Sequence, residues 1–367
     1  MPDPSGARVA LQLLGPSTGG IRRHVVELSR RLPDHGWAGP IAGPAGVLGP
    51  HGELAYTVPV PGAPTPALLA ARRALRAAVA DAGAGLVHAH GLKAGWLATL
   101  AGLPCPVVVT VHNLVLDQAA GRSAAPLRAL EARLPGRAAA TIAVSPAIAE
   151  RFAGLRGADR VTVVRPVGPA PVPGRPAAKV RADLGVGDAP LVVTVGRLHP
   201  QKDLPTLLRA AAMLRERVPG VRVVVVGEGP DRAALAALAA ELGVAGTVTF
   251  AGASPEAADV LAAADAVAMC SLWESGPLVV AEALALGRPV VATPVGFVPE
   301  VIDDGVGGRI VPVGDPGALA AALGDVLADP VAAAGMAEAG RRAAAAVLGP
   351  DRLVGDVVKV YEDVTST

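Results

Sequence analysis

The chain has few aromatic residues and only two cysteines, and both shortages exclude classes of protein. Aromatic side chains make up 2% of the 367 residues, whereas proteins that bind single-stranded nucleic acid usually stack its bases on aromatic rings. We therefore expect no nucleic-acid partner. Cys105 and Cys270 each lie beside an apolar stretch typical of a strand, so we expect neither a disulfide framework nor a cysteine metal cluster.

The chain also lacks the usual signals of export and membrane insertion. The stretch MPDPSGARVALQLLG has neither the basic start nor the apolar core of a signal peptide, and no apolar run approaches the roughly 20 residues of a transmembrane helix. We therefore expect a cytoplasmic protein. The segment 66–83 carries Arg72, Arg73 and Arg76 among leucines. Two interpretations of it stay open: a helix in peripheral contact with an anionic membrane, or an ordinary surface helix.

Length and charge both divide the chain into two parts. At 367 residues it is more than twice the roughly 150 residues of a typical domain, which predicts two domains. Residues 1–165 carry 17 Lys and Arg against 9 Asp and Glu, whereas residues 166–367 carry 16 against 23. The excess of positive charge would suit an acidic partner for the first part, although ordinary solvation explains it equally well.

Short apolar runs alternate along the chain with helical patterns rich in Ala, Leu and Arg. This alternation is typical of strand–helix units around parallel sheets whose two faces are both buried. Nine strands are too many for one ordinary open sheet, so two sheets are expected. The clearest strands are predicted at 9–15, 85–90, 106–112, 140–145, 190–196, 221–227, 247–252, 266–271 and 288–293.

The predicted architecture is α/β, with two Rossmann-like parallel-sheet domains facing each other across a cleft. The segment 163–180 contains five prolines and two glycines, which block regular structure. We therefore predict a first domain over 1–165, a linker over 166–180 and a second domain over 181–345. A last helix over 346–367 is expected to pack back on the first domain. Parallel sheets bind ligands at the carboxyl ends of their strands, where site residues are sought.

Two loops at such strand ends suit a phosphorylated ligand. Gly19 and Gly20 open a helix after the first strand, where bare N–H groups and the helix dipole attract an anion. Arg197 and Lys202 lie between a strand end and the next helix, an arrangement that suits a diphosphate. The alternatives are a tight turn without a ligand and two solvated surface cations.

Two glutamates interrupt the apolar and small residues of WESGPLVVAEALALG, residues 273–287. The pattern predicts Glu274 in the loop after a strand and Glu282 on the second turn of the following helix. The first carboxylate could accept hydrogen bonds from sugar hydroxyls and the second from a ribose diol. The N–H groups of Gly276 and Leu278 would point toward phosphate. Alternatively, Glu274 only complements the helix dipole and Glu282 is exposed.

The stretch ESGPLVVAEALALGRPVVATPVGFVPEVI resembles the Glu–seven residues–Glu signature of retaining GT-B glycosyltransferases, specifically glycosyltransferase family 4. The likeness covers nearly the whole chain, because GPSTGG, VHAHG, VVVTVHN, VGRLHPQKD, VVVVGEGPD and TVTFAG occur in the family's order. The resemblance implies a GT-B fold. It also implies transfer of a hexosyl group from a nucleoside-diphosphate sugar to a hydroxyl acceptor.

The resemblance implies a donor-binding role for each matching residue. Gly20 would contact the donor diphosphate from the first domain, and Arg197 and Lys202 would hold it from the second. Glu274 would bind hydroxyls of the donor sugar, and Glu282 would bind the ribose. The remaining donor-binding residues that it implies are Gly19, Ala253, Ser275, Gly276, Pro277 and Leu278.

His112 follows the strand VVVTV and, by the resemblance, would approach the transferring sugar. A lone histidine at a strand end is otherwise more often structural. Of His88 and His90 in VHAHG, we expect one to point into the core because side chains alternate along a strand. The catalytic residues that the resemblance implies are His112, Glu274, Arg197 and Lys202.

The acceptor is expected to contact Arg22, Arg23, His112 and Asn113, and it could be a sugar, cyclitol, lipid or natural product. The implied mechanism is retention by same-face attack, in which the leaving phosphate accepts the acceptor's proton. We expect no metal and no cofactor. Two other functions stay open, a sugar-nucleotide epimerase of similar fold and a non-catalytic sugar-nucleotide-binding protein. The oligomeric state is not predicted.

Overall fold

The computed structural model describes residues 8–17, 20–49, 52–62, 66–113, 124–166, 168, 171–254 and 256–366. The chain divides into two compact units. The first consists of Met1–Pro169 together with Pro350–Thr367, and the second consists of Ala170–Gly349. Each unit is built around its own sheet.

The sheet of the first unit contains only parallel strand pairs among the described residues. Its strands are β1 (Arg8–Leu14), β2 (Trp37–Ala38), β3 (Ile41–Gly43), β4 (Tyr56–Thr57), β5 (Leu86–His90), β6 (Val107–Val111), β7 (Ala140–Ala143) and β8 (Val161–Val163). The strand order is β4-β3-β1-β5-β6-β7-β8, and β2 also pairs with β1. The chain therefore reverses its direction across the sheet between β1 and β5.

The helices before the linker alternate with the strands of this sheet. They are α1 (Gly20–Arg31), α2 (Ala67–Ala82), α3 (Leu92–Leu100), α4 (Ala124–Glu131) and α5 (Pro146–Glu150). In α2 the buried residues include Leu75 and Val79, whereas Leu69 is 60% exposed. The apolar face of this arginine-rich helix thus packs into the core of its own unit. Gly83, with φ of 59°, ends the helix in a left-handed conformation that glycine adopts without strain.

The second unit has a six-stranded, wholly parallel sheet. Its strands are β9 (Leu191–Val195), β10 (Arg222–Val226), β11 (Val248–Gly252), β12 (Ala266–Met269), β13 (Val290–Ala292) and β14 (Arg309–Ile310), in the order β11-β10-β9-β12-β13-β14. Along β10, Val223 and Val225 face one apolar cluster, whereas Val224 and Val226 face the other. A continuous valine run is therefore expected, since both faces of the sheet are covered.

The helices of the second unit cover both faces of this sheet. They are α6 (Ala177–Asp183), α7 (Leu204–Arg217), α8 (Arg232–Glu241), α9 (Ala257–Ala262), α10 (Leu278–Ala285), α11 (Val298–Val301), α12 (Pro316–Ala328) and α13 (Pro330–Leu348). Two begin at aspartates whose carboxylates accept backbone N–H groups: Asp315 from Ala318 at 2.9 Å, and Asp329 from Ala332 at 3.0 Å. Each bond satisfies a donor that the first helical turn leaves open.

The last helix, α14 (Pro350–Thr365), belongs to the first unit. It buries Val354, Val357 and Tyr361, and the ring of Tyr361 meets Trp37 edge-on with 5.2 Å between centroids. The helix begins four residues later than the predicted 346, because the alanine-rich stretch before it continues α13 to Leu348. Pro350 then interrupts the backbone hydrogen bonding.

The boundaries of the predicted linker also shift. The second unit begins at Ala170 and α6 begins at Ala177, so part of the predicted linker 166–180 is helical. Pro176 occupies the N-cap of α6, a position where its missing N–H costs nothing. The prediction of two Rossmann-like parallel-sheet domains is otherwise confirmed.

All nine predicted strands are present, with ends within two residues of those expected. The strands that the sequence did not indicate are short, such as Trp37–Ala38 and Arg309–Ile310. A strand of two residues is too short to show an alternating pattern. Within the described ranges no single helix has the length and apolar character to cross a membrane. One bent pair, Pro316–Ala328 with Pro330–Thr365, meets those criteria only jointly.

Candidate active site

The sheet order of the second unit opens a crevice beside β9. From β9 the chain proceeds to β10 and β11 on one side and later to β12 on the other. The loops after β9 and β12 therefore diverge, which is where open parallel sheets bind ligands. A small cavity at this point is lined by Gly196, Arg197 and Lys202 after β9 and by Cys270 and Ser271 after β12.

Lys202 and Glu274 meet at this crevice. The Nζ atom of Lys202 forms an ion pair with Oε1 of Glu274, and the hydroxyl of Ser271 donates to the same oxygen at 2.8 Å. The side chains are 21% and 9% exposed respectively. A largely buried carboxylate requires such partners because its desolvation is costly. The structure thus joins two residues that the sequence assigns to neighbouring parts of one ligand.

The turn that carries Lys202 is held by the residue after it and by a thiol. Asp203 adopts φ of 45° and ψ of 44°, the only left-handed non-glycine residue described. Its carboxylate accepts a hydrogen bond from the hydroxyl of Thr206 at 2.7 Å. The thiol of Cys270 donates toward the carbonyl oxygens of Lys202 and Asp203, each at 3.3 Å. Burial raises the pKa of Cys270 to about 12, so the thiol keeps the proton that it donates.

Arg197 lies in the loop after β9, whose backbone is in direct contact with the backbone of the loop after β10. Gly227 has φ of 144°, and a Cβ there would overlap the carbonyl oxygen of Gly196. The N–H of Leu198 donates to the carbonyl of Glu228 at 3.0 Å. Arg197 itself is exposed, and its guanidinium forms no hydrogen bond or ion pair with another described residue. Its five N–H donors are therefore available to an anion.

The loop carrying Glu274 is also supported from outside. The amide of Gln201 donates to the carbonyl of Trp273 at 2.8 Å, which ties this loop to the turn that precedes Lys202. Gly296, with φ of 62°, packs against Glu274 and Pro277, and a Cβ there would press on the Pro277 ring. The two loops of the crevice therefore form one hydrogen-bonded assembly.

One detail of the expected phosphate contacts needs correction. The N–H of Leu278 donates to the carbonyl of Gly276 at 2.9 Å, with Pro277 at φ −74° and ψ 83°. This is the geometry of an inverse γ-turn. The Leu278 N–H is therefore occupied within its own turn rather than directed at a ligand, because the proline between the two residues favours that turn.

Of the other residues that the sequence assigns to the donor, three are described in the second unit. Ser275 follows Glu274 in the loop, and Ala253 is exposed directly after β11. Glu282 is buried on α10, which contradicts the alternative in which it is exposed. Gly20, the first residue of α1, lies in the other unit and is exposed, whereas Gly19 lies outside the described residues.

In the first unit, histidines converge at the reversal point between β1 and β5. His90 ends β5, His112 follows β6 and His24 lies on α1. Nδ1 of His90 lies 3.3 Å from Nε2 of His112, and Nε2 of His90 lies 3.0 Å from Oε1 of Gln12. The ring of His24 meets that of His112 edge-on at 5.0 Å between centroids.

Sequence reasoning named His112 as a site residue and considered His90 only with His88, and it did not place His24 or Gln12 in the site. The expectation that only one histidine of VHAHG points inward was wrong, since residues two apart on a strand share a face. His88 and His90 are both buried, and their rings lie 4.1 Å apart between centroids. This period of two was a signal available in the sequence.

Burial favours the neutral form of three of these histidines. It lowers the pKa of His88, His90 and His112 well below the usual value, and the neighbouring histidines lower it further. Neutral imidazoles are also metal ligands, and ring nitrogens of His24, His90 and His112 lie within 4.8 Å of one another. The contact between His90 and His112, at 3.3 Å, nevertheless allows a long hydrogen bond.

The residues predicted to bind the acceptor lie near this cluster in the chain. Arg22 is on the first turn of α1, and its Nη1 donates to the carbonyl of Val47 at 3.5 Å, a long contact. Arg23 is partly buried on the same turn, and Asn113 is exposed directly after His112. These side chains therefore lie on the first turn of α1 and in the segment that follows β6.

Two family models match the chain. The model of glycosyl transferases group 1 matches residues 178–343, and the model of Glycosyltransferase Family 4 matches residues 18–167. The first match falls within the second unit and the second within the first unit. Together they span both sheets.

Curated relatives align over part of their length. A GDP-mannose-dependent alpha-(1-6)-phosphatidylinositol monomannoside mannosyltransferase of Mycolicibacterium smegmatis is 42% identical over 173 residues, 45% of this chain and 45% of the relative. A D-inositol 3-phosphate glycosyltransferase of Mycolicibacterium gilvum is 38% identical over 265 residues, 66% of this chain and 58% of the relative. The aligned part is thus about half the length of these relatives.

Solved structures resemble the fold over nearly the whole chain. HepE of Anabaena, in complex with UDP and glucose, superposes with a TM-score of 0.83 at 21% identity, covering 96% of this chain and 100% of HepE. A sucrose-phosphate synthase from Thermosynechococcus elongatus gives 0.81 at 24% identity, covering 98% of this chain and 100% of that chain. At such identities the likeness concerns the fold.

Proposed function

This chain belongs to the glycosyltransferases of group 1 and family 4, and we propose that it transfers a hexosyl group from a nucleoside-diphosphate sugar to a hydroxyl acceptor. The observation that carries the proposal is the arrangement at the crevice beside β9. There Arg197, whose guanidinium has no partner among the described residues, lines the same small cavity as Lys202, and Lys202 forms an ion pair with Glu274. Cations for a diphosphate and a carboxylate for sugar hydroxyls are thus side by side.

The role of Arg197 and Lys202 follows from the charge of the leaving diphosphate. When the bond between sugar and diphosphate breaks, negative charge grows on the phosphate oxygens. Arg197 offers a planar fork of donors and Lys202 a compact positive charge. Stabilising developing charge in this way is often the largest catalytic contribution, and one lost donor costs roughly 10²–10³ in rate.

Glu274 and Glu282 hold the two ends of the donor in this proposal. Glu274 accepts hydrogen bonds from sugar hydroxyls while the Ser271 hydroxyl and Lys202 keep its carboxylate oriented. Glu282, buried on α10, accepts hydrogen bonds from the ribose. Each charge-assisted hydrogen bond of this kind contributes about 1.5–3 kcal/mol.

Transfer proceeds with retention and without a metal in this proposal. The acceptor hydroxyl attacks on the face from which the diphosphate departs, and the departing phosphate oxygen takes its proton. The positive charges of Arg197 and Lys202 perform the task that a divalent cation performs in other glycosyl transfers. His112 lies at the acceptor side, in the first unit.

The acceptor is proposed to be a cyclitol or a lipid that carries one, with a phosphate group. The relatives named above act on inositol 3-phosphate and on a phosphatidylinositol mannoside by their names. Arg22 and Arg23 supply positive charge on the first turn of α1. A phosphorylated acceptor would be attracted to this end of the first unit.

The proposal is tested by supplying purified protein with nucleotide sugars, with and without inositol phosphates and phosphoinositides. We expect transfer to a hydroxyl that requires an acceptor, an anomeric configuration equal to that of the donor, and the same rate in EDTA. Epimerisation of the sugar nucleotide without an acceptor would instead identify the epimerase. Binding without any transfer would favour the non-catalytic alternative.

Matched substitutions assign the site. Lys202→Ala and Glu274→Ala should each lower kcat/KM at least about 100-fold, while thermal unfolding confirms that the variants are folded. Lys179→Ala and Glu241→Ala change exposed residues of the same unit and should retain activity. Near-normal turnover by Lys202→Ala or Glu274→Ala would refute the assignment.

A further inference from the structure

The side chain of Gln12 has a defined orientation. Its Nε2 lies 2.8 Å from the carbonyl oxygen of Ala10 and 3.2 Å from the hydroxyl of Tyr361. A carbonyl oxygen can only accept, so the atom facing it must be the amide NH₂. The other amide atom, Oε1, is therefore the one that faces His90.

This orientation determines where the proton of His90 lies. Oε1 of Gln12 has no proton to give, so the 3.0 Å contact with Nε2 of His90 is an N–H donated by the histidine. A neutral imidazole carries one N–H only. Nδ1 of His90 is therefore an acceptor.

The same argument passes one step further to His112. Nδ1 of His90 lies 3.3 Å from Nε2 of His112. Because the first atom accepts, the second must donate. Both rings are almost completely buried, with 3% and 4% of their surfaces exposed, so solvent does not compete for these positions.

We propose that Gln12 and His90 are positioning residues that hold His112 as the Nε2–H tautomer and leave Nδ1 as its hydrogen-bond acceptor toward a substrate hydroxyl. Nδ1 of His112 has no hydrogen-bonding partner within the described part of the chain. The tautomer follows from the hydrogen-bond geometry of neutral, buried rings, whereas the contact with a substrate rests on the proposed function. Through Nδ1, His112 then accepts a hydrogen bond from the substrate hydroxyl and cannot donate one to it.

Neighbouring side chains hold this relay of hydrogen bonds, from Gln12 through His90 to His112, in place. Tyr361 on α14 contacts Gln12 and also lies 2.7 Å from Nδ1 of His88, whose Nε2 lies 2.6 Å from the hydroxyl of Thr110. Burial lowers the pKa of His88, His90 and His112, so the rings stay neutral near neutral pH. A charged His90 would carry N–H groups on both nitrogens and would break the relay.

A bound metal is the competing explanation of the cluster. A metal shared by His24, His90 and His112 would need the lone pairs of both nitrogens that form the 3.3 Å contact. One of these positions carries the proton in the relay. The hydrogen-bonded relay and the metal site therefore exclude each other. They can be distinguished by whether Nε2 of His112 carries a proton.

The test is the tautomer of His112 in the whole protein, labelled with nitrogen-15 at histidine and treated with EDTA. Long-range proton–nitrogen correlation spectra distinguish the two neutral tautomers, and His112→Asn identifies the signals. We expect the proton on Nε2 of both His90 and His112. A proton on Nδ1 of His112, or loss of the His112 N–H on adding stoichiometric Zn²⁺, would overturn the proposal.

Variants at position 90 show whether His90 positions His112 through a hydrogen bond or only fills space in the core. In His90→Asn, Oδ1 takes the place of Nδ1 as an acceptor, so the tautomer of His112 should persist. In His90→Leu the acceptor is lost, and signals of both His112 tautomers should appear. Tyr361→Phe should leave the tautomer unchanged, because the Ala10 carbonyl still orients Gln12. A mixed tautomer in His90→Asn, or an unchanged one in His90→Leu, would contradict the relay.

Kinetics then relate the tautomer to function. Relative to His90→Asn, His90→Leu should lower kcat by about 10- to 100-fold, as a mispositioned catalytic group does, with little change in KM for the nucleotide sugar. His35→Asn, which changes a histidine of the same unit outside the cluster, should retain activity. If no transfer is found at all, the proposed function fails while the spectra still decide the tautomer.

Discussion

Asp203 illustrates how a single residue sets the position of a functional neighbour. Its φ of 45° is a left-handed conformation, which costs most L-residues roughly 1–2 kcal/mol. Aspartate tolerates it better, because its short polar side chain can form a local hydrogen bond, here with the hydroxyl of Thr206 at 2.7 Å. The turn delivers Lys202 to Glu274, so the conformation of one residue determines where the cation lies.

Replacing Asp203 tests this dependence. Asp203→Ala should lower the free energy of unfolding by about 1–2 kcal/mol, because alanine has neither the hydrogen bond nor the tolerance for positive φ. Asp203→Asn retains both and should stay within about 0.5 kcal/mol of the parent protein. Urea unfolding measures the difference. Equal stability of the two variants would show that the left-handed turn is not maintained in solution.

At the scale of elements, the loops after β9 and β10 pack with their backbones in contact. Gly227 and Gly229 make this possible, since a Cβ on either would overlap a carbonyl oxygen of the loop after β9. The glycines of VVVVGEGPD therefore serve close packing of two strand ends. Arg197 depends on this packing for its position.

Substitution of Gly227 tests the packing. Gly227→Ala should destabilise the second unit by about 1–3 kcal/mol, since backbone on both sides must move, and should weaken nucleotide-sugar binding through Arg197. Gly246→Ala is a matched control, because a Cβ there meets nothing within 4 Å. Thermal unfolding and donor affinity are the measurements. A Gly227→Ala protein as stable as Gly246→Ala would contradict the close contact.

On the scale of the whole molecule, titration distinguishes the two units. His88, His90 and His112 lie buried in the first unit, and burial lowers the pKa of each. The second unit contains one histidine, His199, which is partly exposed. Acid should therefore act mainly on the first unit.

The direction in which stability changes with pH follows from proton binding. In the unfolded chain these histidines titrate near about 6.5. The contribution of these histidines to stability is fully present above that pH. Below it, the free energy of unfolding falls by about 1.4 kcal/mol per pH unit for each histidine, because the unfolded chain binds a proton that the folded unit does not. Hydrogen exchange at pH 5.5 and 7.5, read separately for the two units, should show acid-induced loss of protection in the first unit. Loss confined to the second unit would contradict this.

Local patterns determined most of the fold. Valine-rich runs such as 221–227 and 190–196 predict buried parallel strands wherever they occur, because a strand covered on both faces has no polar side. The loops that carry Arg197, Lys202 and Glu274 could be predicted for the same reason, since they follow such strands. Two-residue strands such as Trp37–Ala38 could not, because they form only when a neighbouring strand supplies hydrogen bonds.

What the sequence by itself determined is the nine predicted strands, the two-domain division and the family likeness, which depend on patterns along the chain. Only the tertiary structure decided which of those residues meet. Lys202 and Glu274 form an ion pair across 72 positions, and Gln12 and His90 meet across 78. The register of parallel strands brings such pairs together, and that register is set by long-range packing that no local pattern contains.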